Sequence, residues 1–338
     1  LSMTLPELQA AVQELSEPKF RAKQIFNWLH QKRVTDFSEM TTLSLPFRER
    51  LASDFCINRL KIAKRLASSV DDTVKYLYEL PDGNYVETVC MQYHHGTSLC
   101  ISTQVGCRMG CRFCASAIAG FVRNLTPAEM LLQIYETERA QNCKISSLVL
   151  MGIGEPLDNF DNVLRFLQLL SDPNGYGMSL RHVTVSTCGV VPKILELAEQ
   201  RLGLTLSVSL HCPNDAGRSA IMPINRSYPI DVLLDACQTY FEKTGRRVTI
   251  EYAVMEQVNS AEQDAAALAE RLKGLHAHVN LIPINPVKER NFHTLNKTVL
   301  QFQKTLERYG IPATIRRTLG SDIEAACGQL RRDAIQQT

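Results

Sequence analysis

The spacing of apolar positions changes character twice along the chain. In the first ~60 residues it is helical: Phe20, Ile25, Phe26 and Leu29 recur on one face, and Thr4 before Pro6 and Glu7 reads as an N-cap with an acidic first turn. A further helix is predicted from Pro46 to Phe55. Between Ala63 and Tyr93 the period falls to two. Val74, Tyr76 and Tyr78 alternate with Lys75, Leu77 and Glu79, Pro81-Asp82-Gly83-Asn84 supplies a turn, and Tyr85, Glu87 and Val89 follow, which predicts a β-hairpin. From Ser98 onward short apolar runs alternate with amphipathic segments. Strands are predicted at 98–103, 146–151, 182–187, 204–210, 248–254 and 278–283, with a further one at 312–317. Helices are predicted at 126–141, 159–171, 192–201, 230–243, 260–274 and 295–309. Six βα units in series with buried-looking strands specify an α/β fold on a parallel sheet, and right-handed crossovers between sequential neighbours curl it into a barrel or partial barrel. The chain therefore divides into a helical domain at 1–62, a linking β-hairpin at 63–95 and an α/β domain at 96–338.

Composition narrows the class. The 338 residues are 45% hydrophobic and 21% charged, as in a soluble globular protein with room for one large and one small domain. No apolar run approaches the ~20 residues of a membrane span and no signal peptide is visible, so no membrane partner is expected. Eleven cysteines are an odd number at irregular spacing, which argues against a disulfide framework and for a reducing, cytoplasmic location. A net charge of +2 does not announce a nucleic-acid binder, but its distribution is uneven: up to Arg65 there are 11 Lys/Arg against 7 Asp/Glu. Lys19, Arg21, Lys23, Lys32, Arg33, Arg59, Lys61, Lys64 and Arg65 could meet phosphates, and a solvated helix face gives the same pattern.

The chemistry concentrates in Cys107, Cys111 and Cys114, spaced CxxxCxxC. Three thiolates complete neither a four-iron cluster nor a structural zinc site, so one metal position is left open. The alternatives are a zinc site finished by a distant ligand, or buried thiols with no ligand role. Other polar groups fall at the predicted strand ends. Gly152-Ile153-Gly154-Glu155-Pro156 follows the second strand, Ser186-Thr187 ends the third, Ser209-Leu210-His211 ends the fourth and Asn285-Pro286 ends the sixth. Parallel α/β folds bind ligands beyond these ends. Any one of these residues could be a cap or turn; together they mark one rim.

The cysteine triplet resembles the cluster motif of radical S-adenosylmethionine (SAM) enzymes, and Gly152 to Pro156 looks like their GGEP-type motif. Over nearly its whole length the chain resembles the RlmN/Cfr family of radical SAM RNA methyltransferases. The resemblance runs through Arg21 to Phe26, Glu87-Thr88-Val89, Cys100 to Cys107, Met151 to Leu157, Ser186 to Pro192, Met222 to Asn225, Asn280 to Pro283 and Asp322 to Leu330. It implies a partial (β/α)6 radical SAM barrel. It implies one [4Fe-4S] cluster on Cys107, Cys111 and Cys114, with SAM bound by Gly154, Glu155, Ser186, Ser209, Leu210, His211 and Asn285. Cys327 would take a methyl group from one SAM, and a second SAM would supply a radical, making two per turnover. Cys100 and Glu87 would assist proton removal, and a transient Cys100–Cys327 disulfide would release the product. The implied target is C2 of an adenosine in 23S rRNA, at the peptidyl-transferase centre, and adenosine 37 in tRNA. An electron donor such as flavodoxin would be required, and a monomer is expected. The basic helical domain with Arg108, Arg112 and Arg123 would meet RNA phosphates.

Other readings stay open at this level. A Cfr-type enzyme methylating C8 and conferring antibiotic resistance would share all five cysteines; Arg316 to Gly320 and Ile282 to Asn285 lean toward the RlmN branch. A zinc-stabilised RNA-binding module would have no catalysis, and an activase acting on protein would give Cys100 and Cys327 no purpose. Taken singly, Cys100 reads as a buried strand thiol, Cys327 as a tail thiol, Glu87 as an exposed strand carboxylate and His211 as a satisfied core histidine. Cys188 stands where many members have Ser and Cys212 where Ala is common; both, with Cys56, Cys90, Cys143 and Cys237, are assigned to packing.

Overall fold

A computed structural model describes residues 1–118, 120–284 and 292–323. Cys327 and Asn285 lie outside the described residues. The chain opens with α1 (Leu5–Glu14), α2 (Phe20–Asn27) and α3 (Leu45–Asp54). The first starts where the sequence signals it: the Thr4 amide donates to Glu7 Oε2 at 2.8 Å in a capping box, with Pro6 in the first turn. Val12, Ile25, Met40, Phe47 and Leu51 close these helices around a small core of their own.

Four antiparallel strands follow: β1 (Lys61–Ala67), β2 (Val74–Glu79), β3 (Tyr85–Tyr93) and β4 (Gly96–Cys100). A separate two-stranded ribbon, β5 (Gln104–Gly106) and β6 (Phe121–Asn124), comes next. Then come α4 (Pro127–Gln141), β7 (Ile145–Leu150), α5 (Phe160–Ser171), β8 (Val183–Thr187), α6 (Val191–Glu199) and β9 (Thr205–Ser209). The remainder is α7 (Asp215–Ile221), α8 (Ile230–Thr244), β10 (Val248–Val254), α9 (Glu262–Leu272), β11 (Ala277–Pro283), α10 (Asn296–Arg308) and β12 (Ala313–Ile315). One ten-stranded sheet runs in the order β1-β2-β3-β4-β7-β8-β9-β10-β11-β12. From β4 onward every pairing is parallel. The six predicted βα strands and the further strand at 312–317 are all present. The sheet curls without closing, because β1 and β12 remain its edges.

The hairpin is less separate than its sequence suggests. Its strands continue the same sheet, and both faces of β2 are buried. Tyr78 packs beneath α4, its hydroxyl 2.9 Å from Thr137 Oγ1. Lys75 lies opposite Val89 in the register and so faces the barrel interior with it. The alternation that seems to give β2 a polar face instead turns Lys75 inward, fully buried.

The helical domain docks on α4 through polar contacts. His30 Nδ1 lies 2.9 Å from the Tyr135 hydroxyl, Arg33 pairs with Glu138, and Arg59 Nε lies 3.4 Å from Glu136 Oε1. Arg33 and Arg59 are thus spent on docking, whereas Lys19, Lys23, Lys64 and Arg65 stay exposed. Burial pushes His30 down from about 6.5 to about 3. A depressed histidine contributes stability above its unfolded value, and that stability is lost as pH falls toward the folded one. Between pH 6.5 and 5, thermal stability should therefore drop by up to about 1.4 kcal/mol per pH unit from this group. His30→Gln should flatten that part of the profile; parallel profiles for the two proteins would refute the assignment. Among the described residues no helix is long and apolar enough to cross a membrane.

Candidate active site

The cysteine loop is held at its neck. β5 and β6 pair on either side of it, and the Cys107 amide donates to the Gly120 carbonyl at 3.2 Å. Gly106, at φ +78°, lets the two backbones meet where a side chain could not fit. Further along, the Arg112 amide donates to the Ile221 carbonyl at 2.9 Å, and the Cys114 amide to that of Cys111 at 3.2 Å. The loop therefore lies across the ends of the parallel strands. Gln104 couples it to the next loop. Its amide nitrogen reaches Asn124 Oδ1 and Asp158 Oδ2, each at 2.8 Å, while its carbonyl accepts the Glu155 amide at 2.9 Å. Gly154, at φ +113°, packs on Gln104: a Cβ there would sit 2.6 Å from the Gln104 Cβ.

These loops enclose a cavity of about 360 Å³. Cys107, Cys111 and Cys114 line it together with Cys100, Gly154, Glu155, Ser186, Ser209 and His211. Cys100 sits at the end of β4, level with Val89 on β3 and Val149 on β7.

Glu155 is buried, and its carboxylate is ringed by donors. Oε2 accepts the Cys188 amide at 2.7 Å and Oε1 the Leu157 amide at 3.0 Å. Burial still outweighs these donors and raises its pKa above the ordinary carboxyl value. His211 adopts φ +57°, unusual for a side chain with a Cβ, and is fixed there by its neighbours. Its Nδ1 accepts the Ala253 amide at 2.9 Å, its carbonyl accepts Asn259 Nδ2 at 2.6 Å, and Phe113 meets the ring edge-on. Burial first, and the Arg218 charge second, push it down to about 3, so it is neutral.

The donor set suits a cluster. Burial pushes the Cys107 thiol up to about 12 and Cys111 higher still, so without a cation both stay protonated. A bound metal centre deprotonates such thiols. All three thiols line one cavity, and a cubane would take each thiolate on a separate iron.

Comparison with known proteins agrees with this geometry. Residues 1–57 match the family described as "Ribosomal RNA large subunit methyltransferase N-terminal domain", and residues 101–269 match the Radical SAM superfamily. A protein of Lachnoclostridium phytofermentans, named a probable dual-specificity RNA methyltransferase RlmN, is 50% identical over 341 aligned residues, covering 100% of this chain and 95% of that protein. A protein of Clostridium novyi with the same name is 48% identical, covering 99% and 98%. The chain belongs to the RlmN family of radical SAM RNA methyltransferases. A crystal structure of a radical SAM methyltransferase from Sphaerobacter thermophilus superposes with a TM-score of 0.93 at 40% identity, covering 97% of each chain. The partial radical SAM barrel is thus the fold, and an iron–sulfur cluster and SAM are what an RlmN-family enzyme uses.

Measured against the family pattern, the residues divide. Leu210 does not line the cavity: its side chain is in the main core, its amide donates to the Glu251 carbonyl at 3.1 Å and its carbonyl accepts from Arg218. Glu87 is no exposed strand carboxylate. It is buried with Lys75 Nζ 2.9 Å from its Oε2, on the same face of β3 as Val89. Arg123 is held by Asp82 and Glu129, and Arg108, though exposed, pairs with Asp158; Arg112 is exposed as well. Cys188, assigned to packing, does pack in the same small core as Cys212; it also lines the cavity, and its amide donates to Glu155. Cys212 and Cys237 do pack in cores.

Proposed function

We propose that this enzyme methylates C2 of an adenosine in 23S rRNA and of adenosine 37 in tRNA. The observation that carries the reading is that Cys100 shares one cavity with the cysteine triplet and Glu155. A maturase or a zinc module gives that fourth thiol no task. In this reading Cys107, Cys111 and Cys114 hold one [4Fe-4S] cluster. Bound there, the cluster supplies the electron that cleaves SAM to an adenosyl radical. Gly154, Glu155, Ser186, Ser209, His211 and Asn285 hold SAM, with the Glu155 carboxylate facing its ammonium group. Cys327 is the thiolate that accepts the methyl group from a first SAM by displacement. Cys100, with Glu87 behind it on the next strand, takes the proton from the target carbon. The methyl on Cys327, having given a hydrogen atom to the adenosyl radical, would bond the target carbon. The Cys100 sulfur would then bond the Cys327 sulfur as the Cys327 C–S bond breaks, with one electron returned to the cluster and the new methyl group completed by a proton, leaving a transient disulfide compatible with the cytoplasm. Lys19, Lys23, Lys64, Arg65 and Arg112 are among the exposed cations available to RNA phosphates, and the target base must leave its stack to reach the cavity. The enzyme acts as a monomer and draws its electrons from a low-potential donor such as flavodoxin.

Anaerobic turnover on 23S rRNA and on tRNA, with mass spectrometry of the digested nucleosides, tests this reading. The expected product is 2-methyladenosine from both RNAs. Finding 8-methyladenosine instead would assign the C8 chemistry, and finding neither would sink the function. Cys327→Ala should abolish the product while the cluster absorbance and SAM binding persist.

A further inference from the structure

Arg218, on α7, is fully buried and was not marked by any sequence pattern. Its guanidinium donates five hydrogen bonds. Nε reaches the Leu210 carbonyl at 3.2 Å. Nη1 reaches Asn225 Oδ1 at 2.8 Å and the Tyr228 carbonyl at 3.4 Å. Nη2 reaches the carbonyls of Cys188 at 2.7 Å and Ser209 at 3.2 Å. Every acceptor is neutral. Asp215, the carboxylate whose charge acts on it, gives Oδ1 to Asn225 Nδ2 and to the Ile230 amide.

A buried cation without an anionic contact is costly, by several kcal/mol even after relaxation. Carbonyl dipoles offset part of that cost, yet burial still lowers the Arg218 pKa. An arrangement of this kind makes physical sense where an anion arrives from elsewhere. Two of the carbonyls it grips belong to Cys188 and Ser209, which line the same cavity as Cys107, Cys111 and Cys114. Three thiolates outweigh the charge of an oxidised four-iron core by one, and of a reduced core by two.

We propose that Arg218 is the built-in counter-charge of the cluster site and raises the cluster's reduction potential. This rests on the [4Fe-4S] reading above. Reduction adds one electron from an external low-potential donor, breaks no bond and leaves the site one unit more negative. A fixed positive charge beside it favours that state over the oxidised one. Arginine suits the task because its fork binds carbonyls on two strand ends while its charge cannot be titrated away.

The test uses the full chain, anaerobically reconstituted, with iron and sulfide quantified. The midpoint is measured without SAM, by dithionite titration of the reduced-cluster EPR signal. Wild type and Arg218→Lys should titrate together. In Arg218→Gln the reduced-to-oxidised ratio at a fixed potential should fall about tenfold, a midpoint about 59 mV more negative for one electron. An Arg218→Gln protein with a full cluster and the wild-type midpoint would overturn the proposal. If Arg218→Gln folds without taking up a cluster while Arg218→Lys takes one up, the charge is what the cluster needs, and the proposal stands. Equal failure of both variants would make Arg218 a hydrogen-bonding strut and overturn it. A wild-type chain that takes up no four-iron cluster would sink the underlying reading itself.

Discussion

Lys75→Met is expected to destabilise the protein by about 3–5 kcal/mol, the usual cost of breaking a buried ion pair from one side. Lys75 and Glu87 are both buried, with Nζ and Oε2 2.9 Å apart on adjacent strands. Removing the ammonium takes away the positive charge 2.9 Å from a carboxylate in a low-dielectric interior. At about 2.1 cal/mol/K of unfolding entropy per residue, the melting temperature of a chain this long should fall by roughly 4–7 °C. The double variant Lys75→Met/Glu87→Leu should recover most of that loss, because a matched apolar pair no longer carries a buried charge. It should not recover methylation if Glu87 takes part in proton removal. Differential scanning calorimetry of the two variants decides the first point: a double variant no more stable than the single one would show that the ion pair is not what the fold depends on here.

That pair also shows where the sequence stops being readable. The parallel strands and their helices were legible to within a few residues because each is long and strongly periodic. Strand β1 was not, since its residues are exposed on both faces and so carry no apolar alternation. The ribbon β5–β6 is too short for any period, yet it sets the neck of the cysteine loop. Helix α7 has only Arg218 and Ile221 buried, so no apolar stripe marks it. Lys75 looks like one member of a polar face, and only the curl of the sheet turns that face inward. Leu210 illustrates the reverse error: it lies inside a motif that reaches the site, but the strand directs its side chain to the core. The cysteine triplet, Glu155 and His211 stand out in the sequence because motif spacing marks them, and the fold places them on one cavity. Arg218 carries no such mark, because its burial arises from three-dimensional neighbours. An arginine in a sequence is ordinarily taken for a surface residue.

Glu155→Gln carries the second large expected effect, a loss of SAM affinity of about 2–5 kcal/mol, roughly thirtyfold to several thousandfold in Kd. In the proposed reading this carboxylate is the partner of the SAM ammonium group. The protein keeps it buried, and its raised pKa records that cost. Two backbone amides, Cys188 and Leu157, are already aimed at its oxygens at 2.7 and 3.0 Å. Glutamine preserves the shape but turns an NH2 group toward one of those amides and removes the charge. In the ligand-free protein the two consequences oppose each other: a buried charge is relieved, while one N–H loses its acceptor at about 1–3 kcal/mol. The melting temperature without SAM should therefore move little. With SAM there is no such offset, because the ammonium loses its counter-charge at a buried carboxylate. Calorimetric titration of SAM into anaerobic, cluster-loaded protein, paired with melts of the SAM-free protein, separates the two cases. A Kd within threefold of wild type would remove Glu155 from the SAM site. A large fall in SAM-free melting temperature would make it a structural hub for the Ser186–Cys188 strand end instead.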